Sequence, residues 1–305
     1  MKGGSDESLE EFTVRSVSVG HVALLELVTS RPLPLRACRR CGCGVRIGGA
    51  EPRSDRLRRP LSGSRFGSLA VTTFRRVRSS SRAWLAYVAI CVVAVLFTLV
   101  ALPSGAAFYR RFVGGADPRL VVVAASVVGG ACLGGLRVLG GFAVLQRDRF
   151  ARGFAVAAGF ATLFAAAIVV ADLVLRYPVD LNVPLPGALV FYPSIGLVAE
   201  VAFHLVPLTV VLLVLFSLRR RMCSTRRLWW AIAITAMVEP AFQVLLGGGA
   251  LTALDAYTAL HVFAFALAQL YVFWRYDFVS MFAMRLVYYV YWHIAWGWLR
   301  LGIVS

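Results

Sequence analysis

Charged side chains are scarce in this sequence, and acidic ones are the scarcest. Only 15% of the 305 residues are Asp, Glu, Lys or Arg, whereas soluble chains carry about 25%. Lys2 is the single lysine, so nearly all of the formal net charge of +17 comes from arginine. Hydrophobic residues make up 59% of the chain. This composition excludes an ordinary soluble domain and indicates a multi-pass membrane protein.

Residues 1–80 lack any apolar run long enough to cross a bilayer. They are rich in Arg, Gly, Ser and Pro, and such a composition cannot bury a core. We expect a mostly disordered, Arg-rich cytoplasmic tail whose charge suits anionic lipid headgroups. No basic domain of recognisable fold accompanies the charge, so nucleic acid is not an expected partner.

Residues 83–305 are dominated by apolar segments, and about 20 such residues suffice to span a membrane as a helix. The sequence therefore predicts an all-α polytopic transmembrane helix bundle of about seven spans, with a polar core contributed by residues 188–300. The predicted spans are 83–102, 120–145, 154–175, 188–218, 228–246, 251–274 and 278–299. In the second span, Gly130-x-x-x-Gly134 predicts a helix-packing face, because small residues let backbones approach closely in lipid.

Arginines in the loops predict the orientation of the spans. Alternate loops, after the second, fourth and sixth spans, are the arginine-rich ones, and cytoplasmic loops carry the excess of positive charge. We therefore expect a protein of the inner cell membrane with a cytoplasmic N-terminus and an external C-terminus. The arginines concerned are Arg147, Arg149, Arg152, Arg219, Arg220, Arg221, Arg226, Arg227 and Arg275.

Ionisable residues interrupt the last four spans at a similar depth. Glu200 and His204 are four residues apart in the fourth span, which places them one turn apart on one helix face. A carboxylate at mid-membrane is costly and needs a partner or a role. The other polar residues near this level are Glu239 and Gln243 in the fifth span, His261 in the sixth, and Arg285, Tyr289 and His293 in the seventh.

Two interpretations of this polar level stay open. In the first, the spans enclose a polar cavity lined by Gln243, His261, Arg285 and Tyr289. The candidate catalytic residues and zinc ligands in that cavity are Glu200, His204, Glu239 and His293. The same groups could instead relay protons. In the second interpretation, Arg285 neutralises Glu200 or Glu239 and the histidines hydrogen-bond between helices.

Four stretches of the last spans carry a resemblance to a known family. They read AEVAFH at 199–204, EPAFQ at 239–243, YVFWRYD at 271–277 and RLVYY at 285–289. Their layout resembles the core of the CPBP family, the intramembrane CAAX-processing and bacteriocin-processing metalloproteases. That family has Glu-Glu-x-x-x-Arg on one helix and Phe-x-x-x-His on the next. A Tyr-flanked basic turn and a His-x-x-x-Asn/Asp motif on the last core helix follow.

The resemblance implies a glutamate that activates a water positioned by two histidines, but most of those groups differ here. Only Glu200 matches the family in this register. The differing positions are Ala199 for the first glutamate, His204 for the arginine, Gln243 and Arg285 for the histidines, and Tyr289 for the last Asn/Asp. These replacements predict a diverged relative without the usual metalloprotease chemistry. A shifted site on Glu200, His204, Glu239 and His293 is the alternative that would still bind zinc.

Two classes of function therefore stay open. One is a diverged CPBP-like membrane protein that handles a membrane peptide or protein partner, with or without cleavage. The other is a non-enzymatic component of transport or proton relay, or a scaffold for another membrane protein. Intramembrane prolines and paired polar residues suit the second class.

Overall fold

The structure is a computed structural model that describes residues 65–178, 181–219, 225–247 and 252–304. The predicted tail at 1–80 lies almost wholly outside the described residues. The chain divides into two units, one of residues 18–78 and the other of residues 79–305 together with 1–17. The helices described below belong to the second unit from residue 79 onward.

Helices account for nearly all of the described chain, and no strand occurs in these ranges, so the predicted all-α class is confirmed. We number the α-helices in chain order and name the two π-helical turns, which interrupt longer helices, separately. The elements are α1 (Arg65–Val113), α2 (Pro118–Gly140), α3 (Phe150–Leu175), α4 (Ala188–Ala199), a π turn (Glu200–Leu205), α5 (Val206–Arg219), α6 (Thr225–Ala236), α7 (Val238–Gly247), α8 (Ala253–Arg275), α9 (Phe278–Tyr289), a second π turn (Val290–Trp296) and α10 (Gly297–Val304).

Within the described ranges, six helical segments are long and apolar enough to cross a membrane. They are Ser81–Leu102, Pro118–Leu139, Arg147–Leu175, Ala188–Leu215, Arg226–Leu245 and Ala253–Arg275. The seventh predicted span forms a helix from Phe278 to Val304 but is not among the six. Arg285, His293 and several tyrosines lower its mean hydropathy. The protein is thus a membrane-embedded bundle.

Close packing of α1 on α2 depends on a glycine next to the predicted motif. A Cβ at Gly129 would lie 2.5 Å from the Tyr87 hydroxyl and 2.7 Å from a methyl of Val201. The Tyr87 hydroxyl donates to the Ser126 carbonyl at 2.7 Å, which joins the two helices. A Cβ at Gly134 would contact nothing within 4 Å. The packing face therefore centres on Gly129, and Gly134 has no part in it.

A row of small residues on α3 lets α9 approach closely. Buried positions recur at every fourth residue, and they are Gly153, Ala157, Ala161 and Ala165. A Cβ at Gly153 would lie 2.6 Å from the Ser280 hydroxyl and 3.1 Å from Cβ of Tyr276. Small residues at such spacing are typical of helix pairs in membranes, where van der Waals packing rather than water drives association.

A tight turn joins α8 to α9 and fixes their relative register. Asp277 is the N-cap of α9 and accepts from the backbone N–H of Ser280 at 2.7 Å. Its other oxygen accepts from the backbone N–H of Gln146 at 2.8 Å, which ties the loop after α2 to this turn. Since α8 ends at Arg275 and α9 begins at Phe278, residues equally far from the turn lie side by side at one depth.

Two prolines shape the helices that carry the buried glutamates. Pro207 has no N–H, and the turn before it widens to a π turn in which the Val206 N–H bonds to the Val201 carbonyl. Pro240 likewise cannot donate to the Ala236 carbonyl one turn earlier, and α6 ends at Ala236. Glu200 begins the π turn and Glu239 follows the helix break. Both glutamates therefore stand where the backbone departs from a regular helix.

Candidate functional site: a buried arginine with two glutamates

Four helical segments meet around one buried guanidinium. The π turn provides Glu200 and His204, α7 provides Glu239, and α8 provides Gln269. Arg285 and Tyr289 come from α9, one helical turn apart. We call this cluster the Arg285 centre: Glu200, His204, Glu239, Gln269, Arg285 and Tyr289. Glu200, His204 and Gln269 are fully buried, while Arg285 is 2% exposed and Glu239 is 8% exposed.

All five N–H donors of Arg285 are hydrogen-bonded. Nε donates to Oε1 of Glu200 at 2.6 Å. The two terminal nitrogens hold the carboxylate of Glu239 bidentately, at 3.2 Å and 2.9 Å. The remaining two N–H groups reach the Tyr289 hydroxyl and Oε1 of Gln269, each at 3.1 Å. A planar guanidinium has five donors, and paired charged bonds of this kind are among the strongest in proteins.

Gln269 links the cation to the first glutamate. Its amide nitrogen donates to Oε1 of Glu200 at 2.5 Å, while its amide oxygen accepts from Arg285. Oε1 of Glu200 therefore receives two N–H donors. The amide orients Glu200 and Arg285 toward each other without adding charge, so it stabilises the pair at no desolvation cost for a further ion.

His204 stands between the two carboxylates. Its Nδ1 lies 2.9 Å from Oε2 of Glu200, and its Nε2 lies 3.9 Å from Oε2 of Glu239. Neither ring nitrogen makes a well-aligned hydrogen bond, and neither does Oε2 of Glu200, although all three atoms are buried. The short distance with poor alignment indicates electrostatic proximity rather than a directed bond. His204 is thus the member of the centre with neither polar atom satisfied, and Oε2 of Glu200 beside it is unsatisfied as well.

This geometry does not fit a zinc ion. A zinc site needs three or four protein donors converging on one point, and the described residues contain no such group of His, Cys, Asp and Glu. The Arg285 guanidinium lies between Glu200 and Glu239, where it provides the positive charge that a bound cation would bring. Catalysis by these residues stays a prediction, and this geometry supports no metal-dependent step.

Three of the residues expected in the polar cavity lie elsewhere. Gln243 is exposed, as is Phe242 beside it, and it does not join the Arg285 centre. One turn beyond Glu239, α7 no longer presents this side to the other helices. His293 bonds to Asn182 at 2.8 Å and stacks on Tyr192. His261 is within 3.2 Å of the Tyr288 hydroxyl.

Gln269 was missed from the sequence, although a signal for it exists. It lies six residues before the end of α8, and Arg285 lies seven residues after the start of α9. At 1.5 Å per residue, the tight turn at Asp277 places the two side chains at nearly one depth. Counting from that turn would have paired Gln269 with Arg285.

A second buried arginine lies where α3 ends. Nε of Arg300 is 3.0 Å from Oδ2 of Asp172, and the same oxygen accepts from the Trp296 indole N–H at 2.7 Å. The Tyr177 backbone N–H donates to Oδ1 of Asp172 at 2.8 Å. The carbonyls of Tyr177 and Pro178 accept from Arg300. We call Asp172, Tyr177, Pro178, Trp296 and Arg300 the Arg300 clasp.

Comparison with known proteins leaves the geometry as the sole guide to function. No family model, curated protein or solved structure matches this chain. The multi-pass membrane architecture rests on the six apolar helices. Any more specific statement about activity must come from the Arg285 centre.

Proposed function

We propose that this protein is a non-proteolytic membrane protein with the helical layout of the CPBP intramembrane peptidases, which engages a membrane peptide or protein partner without cutting it. The observation that carries the proposal is the saturation of Arg285 by Glu200, Glu239, Gln269 and Tyr289. A guanidinium held in this way closes the space that a hydrolytic water and its metal would need beside Glu200.

The positions of the polar groups support the layout. The family has a glutamate on one helix, Phe-x-x-x-His on another, and a histidine that begins the last core motif. Glu200, Gln269 and Arg285 come from the first π turn, α8 and α9 and bond to one another. Gln269 is preceded four residues earlier by Phe265, whose ring lies 6.0 Å from the Arg285 guanidinium carbon. In this register the two histidines are replaced by Gln269 and Arg285, and Gln243 plays no part.

Restoring the two histidines tests the proposal. We expect purified wild-type protein to contain no zinc and to cleave no membrane peptide. The double variant Gln269→His/Arg285→His should bind about one zinc per chain, because two imidazoles and Glu200 would then converge. The matched control is Gln243→His/Arg285→His, in which the new imidazole at 243 is exposed, and it should bind less zinc than the 269 variant because one imidazole fewer converges on the site.

Metal analysis of the folded proteins separates the outcomes. Zinc in the wild type that disappears in Glu200→Ala would contradict the non-proteolytic assignment, as would peptide cleavage that depends on Glu200. Zinc uptake by the 243 variant at the level of the 269 variant would contradict the register. Elution as a single species in detergent and native Trp fluorescence establish that each variant is folded.

A second candidate function, a proton-relay or transport component, is favoured by one observation. His204 is fully buried beside two carboxylates, and its ring nitrogens have no aligned partner. Reconstituted vesicles test this function directly: proton or solute flux should be lost in Glu239→Gln. Flux that is absent from the wild type, or unchanged in this variant, would contradict a transport function.

We also propose the membrane and orientation that the arginine pattern predicts. The N-terminus would be cytoplasmic in the inner membrane, and the C-terminus external, with the arginine-rich tail on anionic headgroups. Reporter fusions at the two ends should give opposite topologies. Deletion of residues 2–70 should weaken binding to anionic vesicles and leave binding to neutral vesicles unchanged. Equal reporter signals at both ends would contradict the orientation.

A further inference from the structure

The Arg285 centre contains more negative than positive charge. Two carboxylates, Glu200 and Glu239, face one guanidinium, so the ionised cluster carries one uncompensated negative charge. A net charge buried at the depth of a membrane span costs several kcal/mol or more, and the bilayer supplies no counter-ion. A further positive charge within the cluster would remove that cost.

His204 is the group positioned to carry it. The imidazole lies between the two carboxylates, with Nδ1 2.9 Å from Glu200 and Nε2 3.9 Å from Glu239. Both ring nitrogens become donors when the ring is protonated, and each then faces a carboxylate oxygen. The unsatisfied Oε2 of Glu200 is on the same side as Nδ1. A neutral imidazole could donate to only one of the two carboxylates.

We propose that the Arg285 centre is a binding site for one proton, held on the imidazole of His204. With this proton bound the cluster is electrically neutral, and without it the cluster carries one negative charge. The proton is the ligand of the site, and Glu200 and Glu239 are the groups that retain it. This inference does not depend on whether the protein descends from a peptidase.

Charged groups from three elements enter the charge balance. The π turn contributes Glu200 itself, α7 contributes Glu239, and α9 contributes Arg285 with the neutral Tyr289. From α8 the nearest polar group is Gln269, which is uncharged and already bonded to both Glu200 and Arg285. The guanidinium donates to Oε2 of Glu239 but not to Oε2 of Glu200, so Oε2 of Glu200 is the carboxylate oxygen that remains unbonded for the imidazolium.

Glu239 is the most exposed of the charged groups in the centre. It is 8% exposed, whereas Glu200 and His204 are completely buried. It also follows the break between α6 and α7 at Met237, where the backbone is not held by a regular helix. Exchange of the proton with the outside would therefore pass through the Glu239 side of the cluster.

Nitrogen NMR of ¹⁵N-histidine-labelled full-length protein tests the proposal. At neutral pH the two ring nitrogens of His204 should resonate close together, as in an imidazolium. The variant His204→Gln assigns the signal. In Glu239→Gln the cluster is already neutral without the proton, so the His204 signals should move apart to those of a neutral ring. Glu200→Gln removes the same charge from the other side and should have the same effect.

His261 provides an internal control, since it lies against the Tyr288 hydroxyl rather than a carboxylate. Its signals should be unchanged in both Gln variants. A neutral His204 ring in the wild type at neutral pH would overturn the proposal. So would an imidazolium that persists in a folded Glu239→Gln or Glu200→Gln protein. The wild-type spectrum alone decides the first point if neither variant folds, and zinc content, which tests the proposed function, is unaffected by either result.

Discussion

The Arg285 centre and the Arg300 clasp use the same pair of chemical groups for different ends. In the clasp, one arginine meets one aspartate, its terminal N–H groups donate to backbone carbonyls, and the Trp296 indole N–H donates to the aspartate. The charges balance, and the clasp joins the end of α3 to α10. In the centre, one arginine meets two carboxylates and a histidine with unsatisfied nitrogens. A cluster whose charges balance can hold two helices together, whereas a cluster with an uncompensated charge can also take up a proton.

The largest effect is expected when the central cation is removed. Arg285→Met leaves Glu200 and Glu239 buried without their partner, and breaking a buried pair in this way costs about 3–5 kcal/mol. We expect a large fall in the thermal midpoint of the detergent-solubilised protein, followed by Trp fluorescence. Arg152→Met, at an exposed position of α3, is the control and should change little. An Arg285→Met protein as stable as the wild type would show that Arg285 is no more important for stability than the exposed Arg152.

A smaller loss is expected at the clasp. Arg300→Met removes the partner of Asp172, but the Trp296 indole and the Tyr177 N–H still donate to that carboxylate. Hydrogen bonds to charged groups contribute about 1.5–3 kcal/mol each, so we expect a destabilisation in that range in the same unfolding assay. Adding Asp172→Asn to Arg300→Met should restore part of the stability, because no unpaired charge then remains. If the Arg300 variant lost more than the Arg285 variant, the order of importance would be reversed.

Replacing the bridging amide of Gln269 tests whether this residue belongs to the Arg285 centre. Gln269→Leu removes the donor to Glu200 and the acceptor for Arg285, and leaving buried polar groups without partners costs about 1–3 kcal/mol. Gln243→Leu is the matched control on an exposed face and should leave the unfolding midpoint unchanged. Equal effects at the two positions would mean that Gln269 does not belong to the centre.

The smallest effect concerns the helix pair that connects the two regions. Helix α3 carries Asp172, and α9 carries Arg285 and continues toward Arg300. Gly153→Ala would push a methyl group against Ser280 and Tyr276, and we expect a loss of about 1 kcal/mol from overpacking. Gly159→Ala on the same helix meets nothing within 4 Å and should be neutral or slightly stabilising. Similar unfolding midpoints for the two variants would show that α3 and α9 can move apart without loss of stability.

The sequence predicted the depth of the polar residues in the helices well, but it predicted less well which way their side chains point. Counting residues along apolar runs placed Glu200, Glu239 and Arg285 at one level, and the structure brings them together. Hydropathy also located six of the spans. Such counting succeeds because a helix advances by a constant rise per residue, so depth follows from sequence position alone.

What the sequence could not give was the rotation of each helix and the contacts of its ends. Gln243 was the predicted residue, but Gln269 is the glutamine that faces Arg285, because the rotation of a helix about its axis is set by packing in three dimensions. Arg300 and Trp296 reach Asp172 from more than 120 residues away, with no local pattern to signal it. Pro207 and Pro240 marked broken backbone bonds without indicating that one would give a π turn and the other a helix break.

A loop phenol also shows how strongly the clasp is shielded. Tyr177 lies between α3 and α4, outside the spans, and its hydroxyl is 2.7 Å from that of Thr258. Burial raises the pKa of Tyr177 above its ordinary value. The phenol of Tyr177 therefore stays neutral through the physiological range.

Because all N–H donors of Arg285 are hydrogen-bonded, a ligand could bind the guanidinium only by displacing one of its present partners. A molecule seeking that cation finds no vacant donor, so its arrival requires displacement of Tyr289, Gln269 or one of the carboxylates. A bound molecule would replace one of these acceptors on Arg285, and the side chain that it replaced would be released from its contact with the guanidinium. Recognition and helix rearrangement are thereby joined in a single event.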